Sequence, residues 1–314
     1  MRTVLITGGA GFLGSHLTDK FLIEGWNVIV LDNLITGSID NISHLIGKEN
    51  FKFIKYDVTD YLFFEEDIDL ILHFACPASP VDYFQHPIHT MKVDSLGTLN
   101  TLGLARNKNA RYVFASTSEI YGSPQVHPQT EDYWGNVNPV GVRSVYDEAK
   151  RFSEAMCMAY YREHGIDIRI SRIFNTYGTR MKLTDGRVIP TFISQALSGK
   201  DITIFGNGSH TRSFCYVDDL TKGIYDLSDK NGLKGSVLNL GNPDEFTIKS
   251  LAEIIISLTG SGSKIVYKDI PEDDPPIRKP DISKAKELLG FSSVTTLEEG
   301  LKKIIPWFQK RLDG

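Results

Sequence analysis

The sequence predicts an α/β fold in which a doubly wound parallel sheet carries a smaller C-terminal lobe. Short apolar runs alternate with stretches of helical periodicity over the first part of the chain. A glycine-rich turn follows the first apolar run directly, and the texture changes after Asn175 to segments rich in turn and polar residues. Alternating strands and helices form a parallel sheet that is covered on both faces.

The first unit consists of a strand, a glycine-rich turn and a helix. Thr3–Thr7 is typical of a buried parallel strand, and the glycines at 8, 11 and 14 follow it, before the helical periodicity of Ser15–Glu24. Such glycines allow a tight turn and the close approach of a pyrophosphate, which the N-terminus of the next helix binds. We therefore predict a Rossmann-type dinucleotide site with contacts from Gly8, Gly11, Phe12, Leu13 and Gly14.

The second strand, Asn27–Leu31, ends at Asp32, eighteen residues after Gly14. In this fold an acidic residue at that place accepts hydrogen bonds from the adenosine ribose, and its charge disfavours a 2′-phosphate. We therefore predict NAD rather than NADP as the cofactor. The neighbouring Asn33, Thr36 and Gly37 are assigned to the same site.

Five further strands complete the predicted sheet, and two long helices lie between them in the sequence. The helices are Thr90–Asn107 and Tyr146–His164, and the strands are Phe51–Tyr56, Leu70–Ala75, Tyr112–Ser116, Asp167–Ile173 and Val237–Leu240. Doubly wound sheets bind their ligands at the carboxyl ends of the strands. Residues at the ends of the third and fourth strands are therefore expected near the adenine and ribose: Asp57, Val58, Phe74 and Cys76.

A second lobe is predicted because Thr176–Pro190 is rich in turn and polar residues and the C-terminal third contains a Pro/Asp-rich stretch, Pro271–Pro280. We assign residues 1–178, with a returning segment at about 214–242, to the cofactor domain. Residues 179–213 and 243–314 are assigned to the substrate-binding lobe.

The composition is that of an enzyme of moderate size. Its 34 basic and 39 acidic residues leave a net charge of −5 without a long basic run, so we expect neither nucleic acid nor a membrane as a partner. Cys76, Cys157 and Cys215 are widely spaced, so no disulfide framework and no metal site are predicted. The first strand lies almost at the start and no apolar segment spans a bilayer, so we expect a cytoplasmic protein.

A base for alcohol oxidation is predicted at Tyr146 and Lys150, downstream of Ser116–Glu119. The two residues are four positions apart, so their side chains project from one helix face, and the lysine charge favours the phenolate. An unperturbed tyrosine has a pKa of about 10, so a lower pKa is needed near neutral pH. The spacing alone also fits a solvated helix face; the dinucleotide motif favours catalysis.

Seven segments together carry a resemblance that runs essentially from end to end. They are Thr7–His16, Pro77–Pro80, Ser116–Gly122, Tyr146-x-x-x-Lys150, Arg172–Gly178, Asp185–Val188 and Asp273–Asp281. The chain resembles the extended short-chain dehydrogenases/reductases that act on nucleotide sugars, and within them the UDP-glucuronic acid decarboxylases, or UDP-xylose synthases. The Thr117-Ser118-Glu119 triplet and the Arg278–Asp281 segment narrow the resemblance to these decarboxylases.

The resemblance implies that NAD oxidises the C4 hydroxyl of UDP-glucuronic acid, that the 4-ketone loses CO2, and that the hydride returns to give UDP-xylose. Tyr146 would take the C4 proton, while Lys150 lowers its pKa and holds the nicotinamide ribose; Lys92 would reach a ribose of the cofactor. Thr117 would hydrogen-bond the C4 oxygen. Ser118 and Glu119 would position the sugar ring and the carboxylate or water.

Arg278 is expected to bind either the sugar carboxylate or the diphosphate, and Glu119 has the alternative role of a buried ion-pair partner. By the same resemblance, a 4-epimerase carries a small residue at 118 and no acid at 119, and a 4,6-dehydratase carries Asp-Glu. Epimerases also tend to have Arg-Pro-Gly-Asp where this chain has Pro-Glu-Asp-Asp, at 271–274. Decarboxylation is therefore favoured, with a UDP-glucuronate 4-epimerase or related dehydratase and a non-catalytic NAD-binding sensor as the alternatives.

The uridine diphosphate needs cations and hydrogen-bond donors, because its phosphate charges leave water on binding. The resemblance assigns Arg212 to the diphosphate, and Asn175 and Arg187 are further candidates; Phe205 and Tyr216 are expected to border the uracil. Related enzymes dimerise by packing two helices of each subunit into a four-helix bundle. We therefore expect a homodimer formed by Thr90–Asn107 and Tyr146–His164.

Overall fold

Seven parallel strands form the central sheet of the computed structural model, which describes residues 1–270, 275 and 277–313. In chain order the elements are β1 (Thr3–Thr7), α1 (Phe12–Ile23), β2 (Asn27–Asp32), β3 (Phe51–Lys55), β4 (Leu70–His73), α2 (Pro80–Gln85), α3 (Pro87–Lys92), α4 (Thr98–Lys108), β5 (Arg111–Thr117), α5 (Ser144–His164), β6 (Ile168–Ile173), β7 (Thr176–Tyr177), α6 (Val188–Leu197), β8 (Ile202–Phe205), β9 (Thr211–Ser213), β10 (Cys215–Tyr216), α7 (Val217–Asp229), β11 (Val237–Leu240), β12 (Glu245–Thr247), α8 (Ile248–Thr259), β13 (Ile265–Lys268), α9 (Ser283–Leu289) and α10 (Leu297–Asp313).

The strand order of the central sheet is β3-β2-β1-β4-β5-β6-β11. Leu5 of β1 lies opposite Ile29 of β2 on one side and Ile71 of β4 on the other, and every pairing in the sheet is parallel. The order reverses between β1 and β4, so a crevice opens there at the carboxyl ends of the strands. The predicted α/β class with a doubly wound sheet is confirmed.

Both faces of the sheet are buried, which explains the continuous apolar runs of its strands. Side chains alternate along β1, so that Val4 and Ile6 join the core under α1 and α7, while Leu5 joins the core under α4 and α5. A core of this kind supports a rigid strand edge on which a site is built.

The predicted helix Thr90–Asn107 is interrupted. One helical stretch starts at Pro87, and a π-helical turn at Val93–Gly97 separates α3 from α4. At Gly97 the backbone passes so close to Val58 that an added Cβ would lie 2.8 Å from a Val58 methyl carbon. The wide turn buries Asp94 completely. Sequence periodicity did not reveal this feature, because the chain is helical on both sides of the turn.

The second lobe has its own apolar core, built from α6, α8 and α10 around the parallel pair β8 and β13. The returning segment predicted at 214–242 contains α7 and β11, and β11 joins the edge of the central sheet beside β6. Residues 271–274 and 276 of the Pro/Asp-rich stretch, which include the segment compared with epimerases, lie outside the described residues. Within the described residues, no helix combines the length and the apolar character that crossing a bilayer requires.

Candidate active site

A cleft of about 770 Å³ lies over the carboxyl edge of the sheet and reaches the second lobe. Most of the residues that were predicted from the sequence to form a site line this cleft. They are Gly8, Gly11, Phe12, Leu13, Gly14, Asp32, Asn33, Thr36, Gly37, Val58, Phe74, Cys76, Thr117, Ser118, Glu119, Tyr146, Lys150, Asn175, Arg187, Phe205, Arg212 and Arg278.

The turn between β1 and α1 requires its glycines. Gly8 has a φ of +71°, and a Cβ added to it would lie 2.7 Å from the backbone nitrogen of Ala75. A Cβ on Gly14 would lie 2.1 Å from the carbonyl oxygen of Gly8. Since α1 begins at Phe12, its first amides lie beside this turn and the cleft. The local geometry fits a bound pyrophosphate.

Asp32 ends β2 as a nearly buried carboxyl group. Its Oδ2 accepts a hydrogen bond from the amide of Ala10 at 3.0 Å, and its Oδ1 accepts one from the amide of Leu34 at 2.8 Å. Burial raises the pKa of Asp32, while the two backbone hydrogen bonds act against that rise. Each carboxylate oxygen can accept a further bond, so the group fits a ribose hydroxyl.

Tyr146 and Lys150 lie in the first turns of α5, and both side chains are buried. The Lys150 ammonium is 5.8 Å from the centre of the Tyr146 ring; it donates to the carbonyl oxygen of Ala115 at 3.0 Å and lies 2.9 Å from Oδ1 of Asp94. The burial of the phenol raises the pKa of Tyr146 above its ordinary value, although Lys150 acts in the opposite direction. Lys150 therefore lowers the pKa of Tyr146 as predicted. Burial outweighs this effect, so the net change is a rise in the pKa and not the predicted fall.

Glu119 lies in a short 3₁₀ turn, Ser118–Tyr121, that follows β5. Both of its oxygens pair with the Arg278 guanidinium, with 2.9 Å between Nη2 and Oε2, and Nη2 of Arg143 is 2.6 Å from the same Oε2. Burial by itself raises the pKa of Glu119, but the two arginines bring it down to about 2. The group is therefore an ionised carboxylate held between two guanidinium groups, as in the alternative of a buried ion-pair partner.

Three residues beside this cluster were missed from the sequence. The Tyr83 ring stacks on that of Tyr146 with 5.2 Å between centres and an interplanar angle of 9°. Among the described residues, the Tyr83 hydroxyl, Nε of Arg143 and Oδ1 of Asp147 are buried without a hydrogen-bond partner. Burial and the Glu119 charge raise the pKa of Asp147 to about 7. Unsatisfied buried groups favour a polar ligand. The only signal in the sequence was that Arg143 and Asp147 lie close to Tyr146 along the chain.

The residues predicted for the uridine diphosphate lie on the second-lobe side of the cleft. Arg187 pairs with Asp185, with 2.5 Å between Nε and Oδ1 and 2.7 Å between Nη2 and Oδ2. Arg212 donates to the carbonyl oxygens of Thr211 at 2.9 Å and Pro275 at 2.6 Å. Both guanidinium groups are therefore held in place by the protein.

The cleft does not include three of the predicted residues. Lys92 is exposed at the end of α3, and Tyr216 is buried in the second-lobe core with its ring 5.7 Å from that of Tyr177. Asp57 accepts hydrogen bonds from Thr59 in its own turn and, at 2.8 Å, from the Asn33 side chain. Asp57 therefore touches the lining of the cleft through Asn33 and through His89, whose Nε2 lies 3.4 Å from its Oδ2.

A family model described as GDP-mannose 4,6 dehydratase matches residues 5–304 of the chain. The UDP-glucuronic acid decarboxylase 1 of Danio rerio is 52% identical over 312 residues, which cover 99% of this chain and 74% of that protein. The chain belongs to the UDP-glucuronic acid decarboxylase family. Another member, UDP-glucuronic acid decarboxylase 6 of Arabidopsis thaliana, is 52% identical over 310 residues that cover 98% of this chain and 89% of that protein. The family predicted from the motifs is confirmed.

Two solved structures show how widely this decarboxylase family shares its fold. The UDP-glucose 4-epimerase of Thermotoga maritima, solved with UDP-glucose, has a TM-score of 0.91 at 30% identity and covers 99% of this chain and 100% of its own. The UDP-glucuronic acid 4-epimerase of Bacillus cereus, solved with UDP-glucuronic acid and NAD, has a TM-score of 0.88 at 27% identity with the same coverage. Since the fold is common to both activities, side chains in the cleft must distinguish them.

Proposed function

We propose that the protein decarboxylates UDP-glucuronic acid to UDP-xylose and CO2, with NAD as a bound and recycled cofactor. The observation that carries the proposal is the ionised Glu119 held by Arg278 and Arg143 in the same cleft as Tyr146 and Lys150. The family resemblance associates an acid at 119 and an arginine at 278 with decarboxylation, whereas the Tyr/Lys pair is common to many dehydrogenases.

The residues present fit NAD. The glycine turn at Gly8 and Gly14 leaves no room for a Cβ, so backbone and pyrophosphate can approach closely. Asp32 would hold the adenosine ribose and Lys150 the nicotinamide ribose. When bound, NAD supplies the acceptor for the hydride at C4 of the sugar and afterwards returns that hydride.

The chain's own residues manage the protons and the charge. The Tyr146 phenolate accepts the proton of the C4 hydroxyl, Lys150 stabilises that phenolate, and the Thr117 hydroxyl binds the C4 oxygen. Oxidation at C4 leaves a ketone that is β to the C6 carboxylate. The C5–C6 bond can then break, CO2 leaves, and the electron pair is delocalised onto the C4 oxygen, near Tyr146 and Thr117. C5 takes up a proton before C4 is reduced again.

The arginines on either side of Glu119 provide for the substrate carboxylate. Arg278 and Arg143 carry two positive charges and Glu119 one negative charge, so these three residues leave one positive charge for an anionic ligand. A carboxylate that leaves water needs such compensation. Arg212, Arg187 and the other cleft residues predicted for the uridine diphosphate would bind the other end of the substrate.

A 4-epimerase of UDP-glucuronic acid is the second candidate, because the Bacillus cereus epimerase that binds this substrate shares the fold. The two activities are separated by incubating the protein with NAD and UDP-glucuronic acid and identifying the product by mass spectrometry and proton NMR. A pentose nucleotide and CO2 support decarboxylation, and an isomer of unchanged mass supports epimerisation. Unchanged substrate would contradict both. The matched control is Tyr146→Phe, which removes the base alone.

We also propose a cytoplasmic homodimer. The three cysteines are free thiols, which suits a reducing compartment. Apolar side chains on the two helical stretches predicted to form the interface are exposed: Met91, Leu96, Leu99 and Phe152. Leu99→Glu and Phe152→Glu should give monomers in sedimentation velocity runs, whereas Trp134→Glu, outside these helices, should not. A wild-type monomer would contradict the dimer.

A further inference from the structure

A buried ion pair stands behind the catalytic tyrosine. Asp94 is fully buried, and its Oδ1 lies 2.9 Å from the Lys150 ammonium, whose side chain is only 3% exposed. Two charges that leave water together are costly to bury unless their geometry is good and their other hydrogen bonds are made. No motif of the sequence assigns a role to Asp94, and the proposed decarboxylation does not use it directly.

The π-helical turn Val93–Gly97 places Asp94 at this position. A π-helical turn inside a helix often occurs at a functional site, because it redirects a side chain that a regular helix would aim elsewhere. Here the turn is attached to α5 through Ser153, whose hydroxyl contacts the carbonyl oxygens of Asp94 and Ala149 and accepts a hydrogen bond from Thr98 at 3.3 Å. The turn and the catalytic helix therefore hold each other in register.

The remaining contacts of the pair restrict its geometry further. Oδ2 of Asp94 accepts a hydrogen bond from the Cys76 thiol at 3.0 Å, next to the end of β4. Lys150 also donates to the carbonyl oxygen of Ala115 on β5 at 3.0 Å. The ammonium thus lies between the Asp94 carboxylate, with which it forms an ion pair, and the Ala115 carbonyl oxygen, to which it donates a hydrogen bond.

We propose that Asp94 is a positioning residue of the active site: its carboxylate fixes the Lys150 ammonium beside Tyr146 and offsets part of the field that this ammonium exerts on the phenol. The inference rests on the proposed function, since it takes Tyr146 as the base. In this arrangement the Lys150 ammonium interacts with two neighbours, Tyr146 and Asp94. Asp94 acts on Tyr146 through its effect on Lys150.

The charges that face Tyr146 come from several elements. Lys150 on α5 favours the phenolate, Asp94 on the π-helical turn and Cys76 after β4 disfavour it, and the Arg187 guanidinium before α6 also interacts with the phenol. The Tyr83 ring covers one face of Tyr146 from α2. Removing Asp94 therefore takes away one of the groups that oppose ionisation of Tyr146.

The charges that face Lys150 give Asp94 a second effect. Burial by itself lowers the pKa of Lys150, but Asp94 together with Cys76 and Tyr146 raises it above its ordinary value. His73 on β4 also faces the ammonium; burial and Lys150 lower the pKa of His73 to about 3, so it is neutral. Asp94 is accordingly the first of the groups that hold the pKa of Lys150 above its ordinary value.

The test is Asp94→Asn, which keeps the shape and removes the charge. The pH dependence of a single turnover of NAD reduction by UDP-glucuronic acid should change at both ends. Its acidic limb, set by Tyr146, should move to lower pH by about one unit, and an alkaline limb, set by loss of the Lys150 proton, should appear. Asp94→Glu, which keeps the charge, should retain the acidic limb of wild type and show no alkaline limb, at a lower rate. Coincident limbs in wild type and Asp94→Asn would overturn the proposal.

A second readout needs no substrate. Tyrosinate absorbance of the NAD-bound protein is titrated with and without Tyr146→Phe, so that the difference reports Tyr146 alone, and Asp94→Asn should lower its midpoint. If wild type fails to reduce NAD with UDP-glucuronic acid, the proposed function fails while this titration still tests Asp94. Should Asp94→Asn not fold, the Tyr146 midpoint of Lys150→Met is compared with that of the double variant Asp94→Asn/Lys150→Met, which lacks both charges of the pair. An unchanged midpoint would again refute the proposal.

The matched control is Asp167→Asn. Asp167 holds Arg111 and Arg169 at 2.9 Å and lies outside the cleft. Its loss should lower the melting temperature without moving the acidic limb and without producing an alkaline limb. An equal displacement of the limbs in this control would show that general loosening, and not the Asp94 charge, causes the effect.

Discussion

Replacing Glu119 by glutamine should lower the free energy of unfolding relative to wild type, and this difference should disappear at low pH. The wild-type carboxylate is held by Arg278 and Arg143, and glutamine has nearly the shape of a protonated glutamic acid. The variant therefore imitates wild type in which this one group has taken up a proton. Both proteins should converge as acid protonates Glu119.

The magnitude follows from the pKa of Glu119, which falls from 4.5 to about 2 in the folded protein. At about 1.4 kcal/mol per pKa unit, this shift corresponds to about 3 kcal/mol of stability. A lowered carboxyl pKa stabilises the fold above the unfolded pKa, and this stabilisation is lost as the pH falls through the folded pKa. The contribution is therefore complete at about pH 6 and reduced to about 1 kcal/mol at about pH 3.

Urea unfolding at these two pH values measures the effect. The free energy of unfolding of Glu119→Gln should lie about 3 kcal/mol below that of wild type at about pH 6, and the gap should narrow by about 2 kcal/mol at about pH 3. Glu148→Gln is the control, since Glu148 forms a half-buried pair with Arg151 at 3.6 Å on the helix surface and should change stability little. A gap of equal size at both pH values would refute the reasoning.

The remaining predictions concern binding and turnover. Tyr146→Phe should slow NAD reduction by UDP-glucuronic acid by about 10²–10⁴-fold in stopped-flow absorbance, and full turnover would exclude Tyr146 as the base. Gly14→Ala should abolish NAD binding in calorimetry, since its Cβ would lie 2.1 Å from the Gly8 carbonyl oxygen; retained affinity would contradict the predicted cofactor turn. Asp32→Asn should raise affinity for NADP relative to NAD by about tenfold, because a repelling charge is removed, and an unchanged ratio would count against the ribose contact. Arg278→Lys should raise KM for UDP-glucuronic acid by about tenfold, because lysine lacks the planar fork of donors, whereas an unchanged KM would place Arg278 outside substrate binding.

The cofactor half of the site was predictable because it is built from contiguous residues. The turn needs glycines at fixed offsets after a strand, and Asp32 follows at the end of the next strand, so one short segment contains most of the geometry. The Tyr146 and Lys150 spacing is equally local. Lys92 and Tyr216 were expected in the cleft but lie outside it. The exposure of a helix residue and the packing of a core depend on neighbours that are distant in the chain.

The cluster around Glu119 could be foreseen only in part. Resemblance indicated Glu119 and Arg278, which are 159 positions apart, but not that they pair with each other or that Arg143 joins them. Tyr83 and Asp94 carry no spacing signal, since one reaches Tyr146 by ring stacking from α2 and the other reaches Lys150 through a π-helical turn. No periodicity relates residues that only the fold brings together.

By itself the sequence determined the α/β class, the dinucleotide turn, the Tyr/Lys pair and the family, because each depends on residues in fixed local patterns. Only the tertiary structure decided the charge state of the site: an ionised Glu119, an Asp147 with a pKa of about 7, and a Lys150 shared with Asp94. The physical reason is that a pKa is set by burial and by charges from distant segments, which a linear pattern does not contain.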